Sequence, residues 1–203
     1  MREYHKIETL LDRDEKTFKV QIGKWRLPEF AYLAENAWLF TEKVDGTNVR
    51  VMWDGRQVRF GGKTDAAQMP TFLLARLQDL FPPEKLALVF GEASACLYGE
   101  GYGAKIQGGK YKADGVNCVL FDVLVDTWWL ERDNIEDVAT KLEVQVVPML
   151  RVGTLLEAIE MVRGGSDSTW GNFRAEGLVV RPKVTLFSRK GERLLGKIKT
   201  RDF

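Results

Sequence analysis

Histidine is almost missing from this chain: His5 is the only one in 203 residues, which excludes multi-histidine metal centres and a histidine-based catalytic apparatus. Cysteine is nearly as scarce. Cys96 and Cys118 lack the spacing of a metal site, and a chain of this size has little need of a disulfide, so a reducing cytoplasm fits best. No apolar run approaches the roughly 20 residues that cross a bilayer, and Met1-Arg2-Glu3-Tyr4-His5 is too polar for a secretory leader, so no membrane partner is expected. Neither charge sign is in excess. With 30 Lys and Arg against 29 Asp and Glu, the net charge is +1, and a nucleic-acid surface would have to come from local clustering. Internal repeats and low-complexity tracts are absent as well.

What is present is an ordinary globular balance, 45% hydrophobic and 29% charged, long enough for one sizeable core. Phe18 to Ile22 reads as a strand, Pro28 opens a short helix, and Trp38-Leu39-Phe40 is a strand. Leucines and phenylalanines at helical spacing make a helix of 71–81, stopped by Pro82-Pro83. Leu86 to Phe90 reads as a buried strand running into Gly91-Glu92. Residues 98–109, rich in glycine and tyrosine, read as a surface loop. Strands follow at 119–125 and 144–148, with a helix at 135–142 between them. Thr154 to Glu157 is a capping box opening a helix that ends at Gly164-Gly165. Two strands close the chain, 176–182 and 194–199.

Chemistry concentrates in Thr41-Glu42-Lys43-Val44-Asp45-Gly46-Thr47-Asn48-Val49-Arg50. On an extended chain Lys43 and Asp45 share a face and Val44 turns inward. Gly46 then permits a turn into Val49, Val51 and Trp53, which alternate with Arg50 and Met52; Asp54-Gly55 signals a hairpin, with Arg56 to Phe60 returning. A lysine attacks only as the neutral amine, a form favoured by nearby cations or desolvation. Lys197 and Lys199, on one face of the last strand, are such cations. Carboxylates stand at Glu92 and Glu176, and an arginine, Arg181, ends the strand that Glu176 begins.

Lys43-x-Asp45-Gly46 followed by Thr47-Asn48 resembles motif I of polynucleotide ligases and capping enzymes, specifically of the RNA ligase 2 family. Gly91-Glu92, Phe121-Asp122-Val123, Glu176 to Arg181 and Lys197-Ile198-Lys199 are similar to that family's motifs III, IIIa, IV and V, in the family's order. Lys112-Ala113-Asp114-Gly115 matches the first four positions too, but only Lys43 has every other motif downstream. Lys63 falls about where relatives carry a motif Ia arginine, and it keeps the charge without the forked geometry.

The resemblance implies an α+β nucleotidyltransferase fold, an ATP-grasp-like ligase core with twisted, mostly antiparallel sheets around a nucleotide pocket. It implies a single adenylyltransferase domain over residues 1–203, with no room after Lys199 for an oligonucleotide-binding barrel. Lys43 is the implied nucleophile toward ATP, with Lys197 and Lys199 stabilising the phosphoryl oxygens. Glu42, Asp45, Gly46, Asn48, Lys63, Glu92, Phe121, Glu176 and Arg181 are the implied nucleotide contacts, Phe121 by stacking on adenine. Asp45, Glu92 and Glu176 are the implied holders of hydrated Mg²⁺ or Mn²⁺. AMP would pass from Lys43 to a 5′-phosphate end, and a 3′-hydroxyl would displace it. The partners are then RNA ends, in nicked duplexes or single strands, or RNA/DNA hybrids; no protein partner is implied. DNA ligases usually carry an arginine two residues after the motif I glycine, where this chain has Asn48, and capping guanylyltransferases normally append the missing barrel. Those two classes, and a non-catalytic nucleotide- or RNA-binding module, are the alternatives.

Overall fold

A computed structural model describes residues 3–203. In chain order its elements are β1 (Glu8–Thr9), β2 (Leu11–Arg13), β3 (Val20–Trp25), α1 (Pro28–Tyr32), β4 (Trp38–Glu42), β5 (Thr47–Trp53), β6 (Val58–Gly61), α2 (Thr71–Leu80), α3 (Pro83–Phe90) and β7 (Ala95–Gly103). There follow β8 (Val116–Val125), β9 (Trp128–Trp129), α4 (Arg132–Leu142), β10 (Gln145–Val146), β11 (Met149–Gly153), α5 (Leu155–Arg163), β12 (Gly177–Pro182) and β13 (Gly196–Lys199). The mixture is α+β with mainly antiparallel pairing, as the sequence predicts.

The chain divides into two compact units. One, here the lysine unit, combines residues 5–44 with 148–203; the other, the insert unit, combines residues 3–4 with 45–147. The crossing from one to the other falls inside the motif, between Val44 and Asp45.

The lysine unit is built on a five-stranded sheet in the order β1-β13-β12-β4-β11, antiparallel except for β1 beside β13, with β2 and β3 as a separate pair. Period-two alternation sorts its side chains. Phe40, Leu178, Val180 and Ile198 enter a core with Phe30 of α1 and Leu155, Ala158, Ile159 and Val162 of α5. α5 starts where the sequence predicts: Thr154 Oγ1 accepts from the Glu157 N–H, and the Glu157 carboxylate accepts from the Thr154 N–H.

The insert unit has a six-stranded sheet, β10-β8-β7-β5-β6 with β9 on β8. Val49, Val51, Trp53, Leu97, Leu120 and Val123 face α2, α3 and α4 across its core. Three expectations change here. The apolar run 86–90 is helical, because Pro83 sits at the first position of α3 and only Leu86 is fully buried while Leu88 is exposed. The first half of the predicted loop 98–109 is the last two thirds of β7, since Gly99 and Gly101 admit Cys118 and Leu73: a Cβ at Gly101 would lie 2.7 Å from Leu73. The hairpin after Trp53 spans four residues, 54–57, with Asp54 Oδ1 accepting from the N–H groups of Arg56 and Gln57, so the returning strand starts at Val58.

Candidate active site

Lys43 lies one residue beyond β4, and its position is fixed by its own backbone: the Lys43 N–H donates to the Gly177 carbonyl at 2.9 Å. Glu176 is held from the other side, its carbonyl accepting from the Thr200 N–H at 2.9 Å. Gly177 makes this close approach possible. It has φ +151, and a Cβ there would stand 2.1 Å from the Ile198 carbonyl oxygen. The result is a three-membered charge cluster in which Glu176 accepts from Lys43 Nζ at 2.6 Å through Oε2 and from Lys199 Nζ at 2.5 Å through Oε1. All three side chains are between 11% and 20% exposed, so water screens them only in part.

The anion that two neighbouring ammonium groups require is thus supplied by the protein. It bridges Lys43 and Lys199 rather than Lys197 and Lys199. Lys197 lies two residues earlier on the same face, paired in register with Thr9 and Val179, and lines a cleft of about 260 Å³ with Lys6, Glu8, Arg13 and Arg26. Arg181 is on that face too, four residues along β12 from Gly177, or about 13 Å at ~3.3 Å per residue.

Glu42 departs from its expected role. It pairs with Leu178 in register and so points to the opposite face from Lys43, where it is 1% exposed. Its carboxylate accepts from Ser168 Oγ at 2.5 Å, the Thr169 N–H at 2.9 Å and Thr169 Oγ1 at 2.7 Å. Those three donors occupy its side chain as an anchor for the 168–169 turn, and no part of it faces the lysine cluster.

On the insert unit, Asp45 and Gly46 lead into β5, where Asn48 and Arg50 point away from the helical core. The glycine is required by proximity and not by a turn: a Cβ at Gly46 would stand 2.2 Å from the Gly101 carbonyl oxygen and 2.8 Å from the Glu100 side chain. Glu100 pairs with Asn48 in register and shares its face. Glu92 does neither. It is exposed after α3, its carbonyl beside Gly55 at the far end of β5, about 20 Å from Gly46 by six strand steps. Glu92 and Asp45 therefore cannot hold one metal ion together. The carboxylate beside Gly46 is Glu100, which the sequence reading missed although Gly99-Glu100 repeats the same dipeptide eight residues on.

Phe121 sits at a bulge of β8, between Leu120, paired with Gly99, and Asp122, paired with Tyr98. It stays outside the buried core and meets Tyr4 edge-on at 5.1 Å. Lys63 is exposed on the turn after β6. Asn48 Oδ1 is buried without a hydrogen-bond partner among the described residues. Among the described residues no three His, Cys, Asp or Glu side chains are grouped to hold a metal ion.

A sequence model of the RNA ligase family matches residues 36–199. The chain belongs to the RNA ligase family. The match runs from just before β4 to the last residue of β13 and so takes in both units. No curated protein matches the chain. Among solved structures, an Asp→Ala variant of Naegleria gruberi RNA ligase without ligand superposes with a TM-score of 0.69 at 19% identity, covering 98% of this chain and 61% of that one. A Lys→Ala variant of the same ligase with ATP and Mn gives 0.69 at 20%, covering 96% and 60%, and the ligase with PPi gives 0.69 at 20%, covering 97% and 61%. At that identity the likeness shows the fold of this RNA ligase family member. The chain spans about three-fifths of the length of these solved relatives. No helix among the described residues is long and apolar enough to cross a membrane.

Proposed function

We propose that this chain is an ATP-dependent RNA ligase that works through a lysyl-AMP intermediate on Lys43. The observation that carries the reading is Glu176 bridging Lys43 and Lys199 on one sheet face. Lys43 Nζ attacks the α-phosphorus, an N–P bond forms, the P–O bond to pyrophosphate breaks, and the proton goes to Glu176 Oε2, the acceptor within hydrogen-bond distance. Lys199, with Lys197 beside it, then faces the phosphoryl oxygens where negative charge grows. By resemblance, Phe121 stacks on adenine, and Asp45, Asn48, Lys63 and Arg181 contact the nucleotide. Glu100, beside Gly46, takes the part first given to Glu92. Glu176 and the substrate phosphates would hold a hydrated Mg²⁺ or Mn²⁺, which would supply charge neutralisation. AMP moves next to the 5′-phosphate of an RNA end, and a 3′-hydroxyl displaces it. A reducing cytoplasm suits the two free, buried thiols.

ATP labelled on the α-phosphate tests this directly. Label that survives denaturing electrophoresis, needs a divalent ion and disappears in Lys43→Ala but not in Lys112→Ala supports the reading. Label from GTP alone would move the protein to the capping class. Absence of label, with an intact mass showing no bound AMP, would leave only a binding module.

A further inference from the structure

Arg50 is the most deeply buried charge in the insert unit. Its side chain is 0% exposed, on the non-helical face of β5. Its guanidinium spends two of its three nitrogens on one turn: Nε donates to the Gly62 carbonyl at 2.7 Å, and Nη2 donates to Asp65 Oδ1 at 2.7 Å. Between those two acceptors lie only Lys63 and Thr64. Room for the fork comes from Gly61, where a Cβ would crowd Nη2 at 3.3 Å, and tightness of the turn from Gly62, where a Cβ would stand 2.8 Å from that of Ala67.

Stability of the turn does not account for the burial. Asp65 is 79% exposed, and an ion pair with so exposed a partner contributes little net stability, whereas desolvating a guanidinium is costly. The third nitrogen, Nη1, has no hydrogen-bond partner among the described residues, and neither has Asn48 Oδ1 two residues away on the same face. What the fork achieves is geometric: a lysine on a glycine-rich turn is a mobile point charge, and pinning the backbone on both sides of it sets where its ammonium can reach.

We propose that Arg50 is a positioning residue for Lys63, presenting that lysine to the anionic part of the nucleotide. The inference rests on the reading of Lys63 as a nucleotide contact and adds the residue that aims it. Lysine at 63 lacks arginine's forked reach, and the fork is supplied one strand away.

The test uses the full chain, the ATP concentration for half-maximal Lys43 labelling, and melting temperature. Asp65→Ala removes the acceptor at the clamp's exposed end without emptying a core, and Arg50→Lys keeps the charge but loses the fork. Each is expected to raise the half-maximal ATP concentration about tenfold, as does Lys63→Ala, with the maximal labelling rate less affected. The double variant Asp65→Ala/Lys63→Ala should bind ATP no worse than Lys63→Ala alone. Losses that multiply in the double variant, a wild-type constant in Asp65→Ala, or a wild-type constant in Lys63→Ala would each overturn the inference. Wild-type protein that takes no label would defeat the ligase reading beneath it, a result distinct from all of these.

Discussion

Glu176 and Glu42 are both carboxylates at strand ends, yet their surroundings give them opposite tasks. Glu176 accepts from the ammonium groups of Lys43 and Lys199, which a phosphate would compete for in the proposed reaction. Glu176→Gln keeps shape and one acceptor but removes the charge and the proton acceptor; labelling by ATP is expected to fall at least ~100-fold while the melting temperature changes little. Glu42 accepts from two hydroxyls and a backbone N–H that have no other use for their protons. Glu42→Ala leaves these partly exposed donors to water and loosens the 168–169 turn, and urea unfolding should show a loss of about 2 kcal/mol. The two cysteines are inert for a related reason. Burial pushes the Cys118 thiol well above its ordinary range and raises that of Cys96, so neither should react with iodoacetamide at pH 8 until the protein unfolds.

Elements were legible in the sequence where a period or a cap announced them. The helix at 71–80 and the capping box before α5 stand where spacing predicts, and Thr154→Ala is expected to lower stability by about 1 kcal/mol in the same urea assay. Two elements were not legible. A five-residue apolar run has no readable period, and the Pro82-Pro83 pair that ends α2 also begins α3. In β7, glycine reads as loop by propensity, but Gly99 and Gly101 are there because Cys118 and Leu73 fill the space a side chain would need. That one strand puts Glu100, and not Glu92, beside Gly46. Glu100→Ala should lower ATP labelling at least tenfold and Glu92→Ala less than twofold, as expected if only the former stands beside Gly46. Equal losses would return Glu92 to the site.

At the scale of the molecule, the charge balance sets how strongly the proposed RNA substrate would be gripped. A net charge of +1 offers no general attraction to phosphate, so affinity for a nicked duplex should be weak and its log–log salt slope shallower than about −3, corresponding to about three neutralised phosphates. A steeper slope would require a basic surface that composition does not reveal. What the sequence determined by itself was the order of the chemical groups: one Lys-x-Asp-Gly with every later motif behind it, a carboxylate opening a strand near the end, and Lys-x-Lys closing the chain. Order along a chain is covalent, and strand period says which side chains share a face. Tertiary structure alone decided which groups touch. Glu176 stands between Lys43 and Lys199 because β12 lies between β4 and β13, and Glu100 rather than Glu92 stands by Gly46 because β7 runs antiparallel to β5. Pairing and register are settled by the burial of side chains far apart in sequence, and no local stretch carries that information.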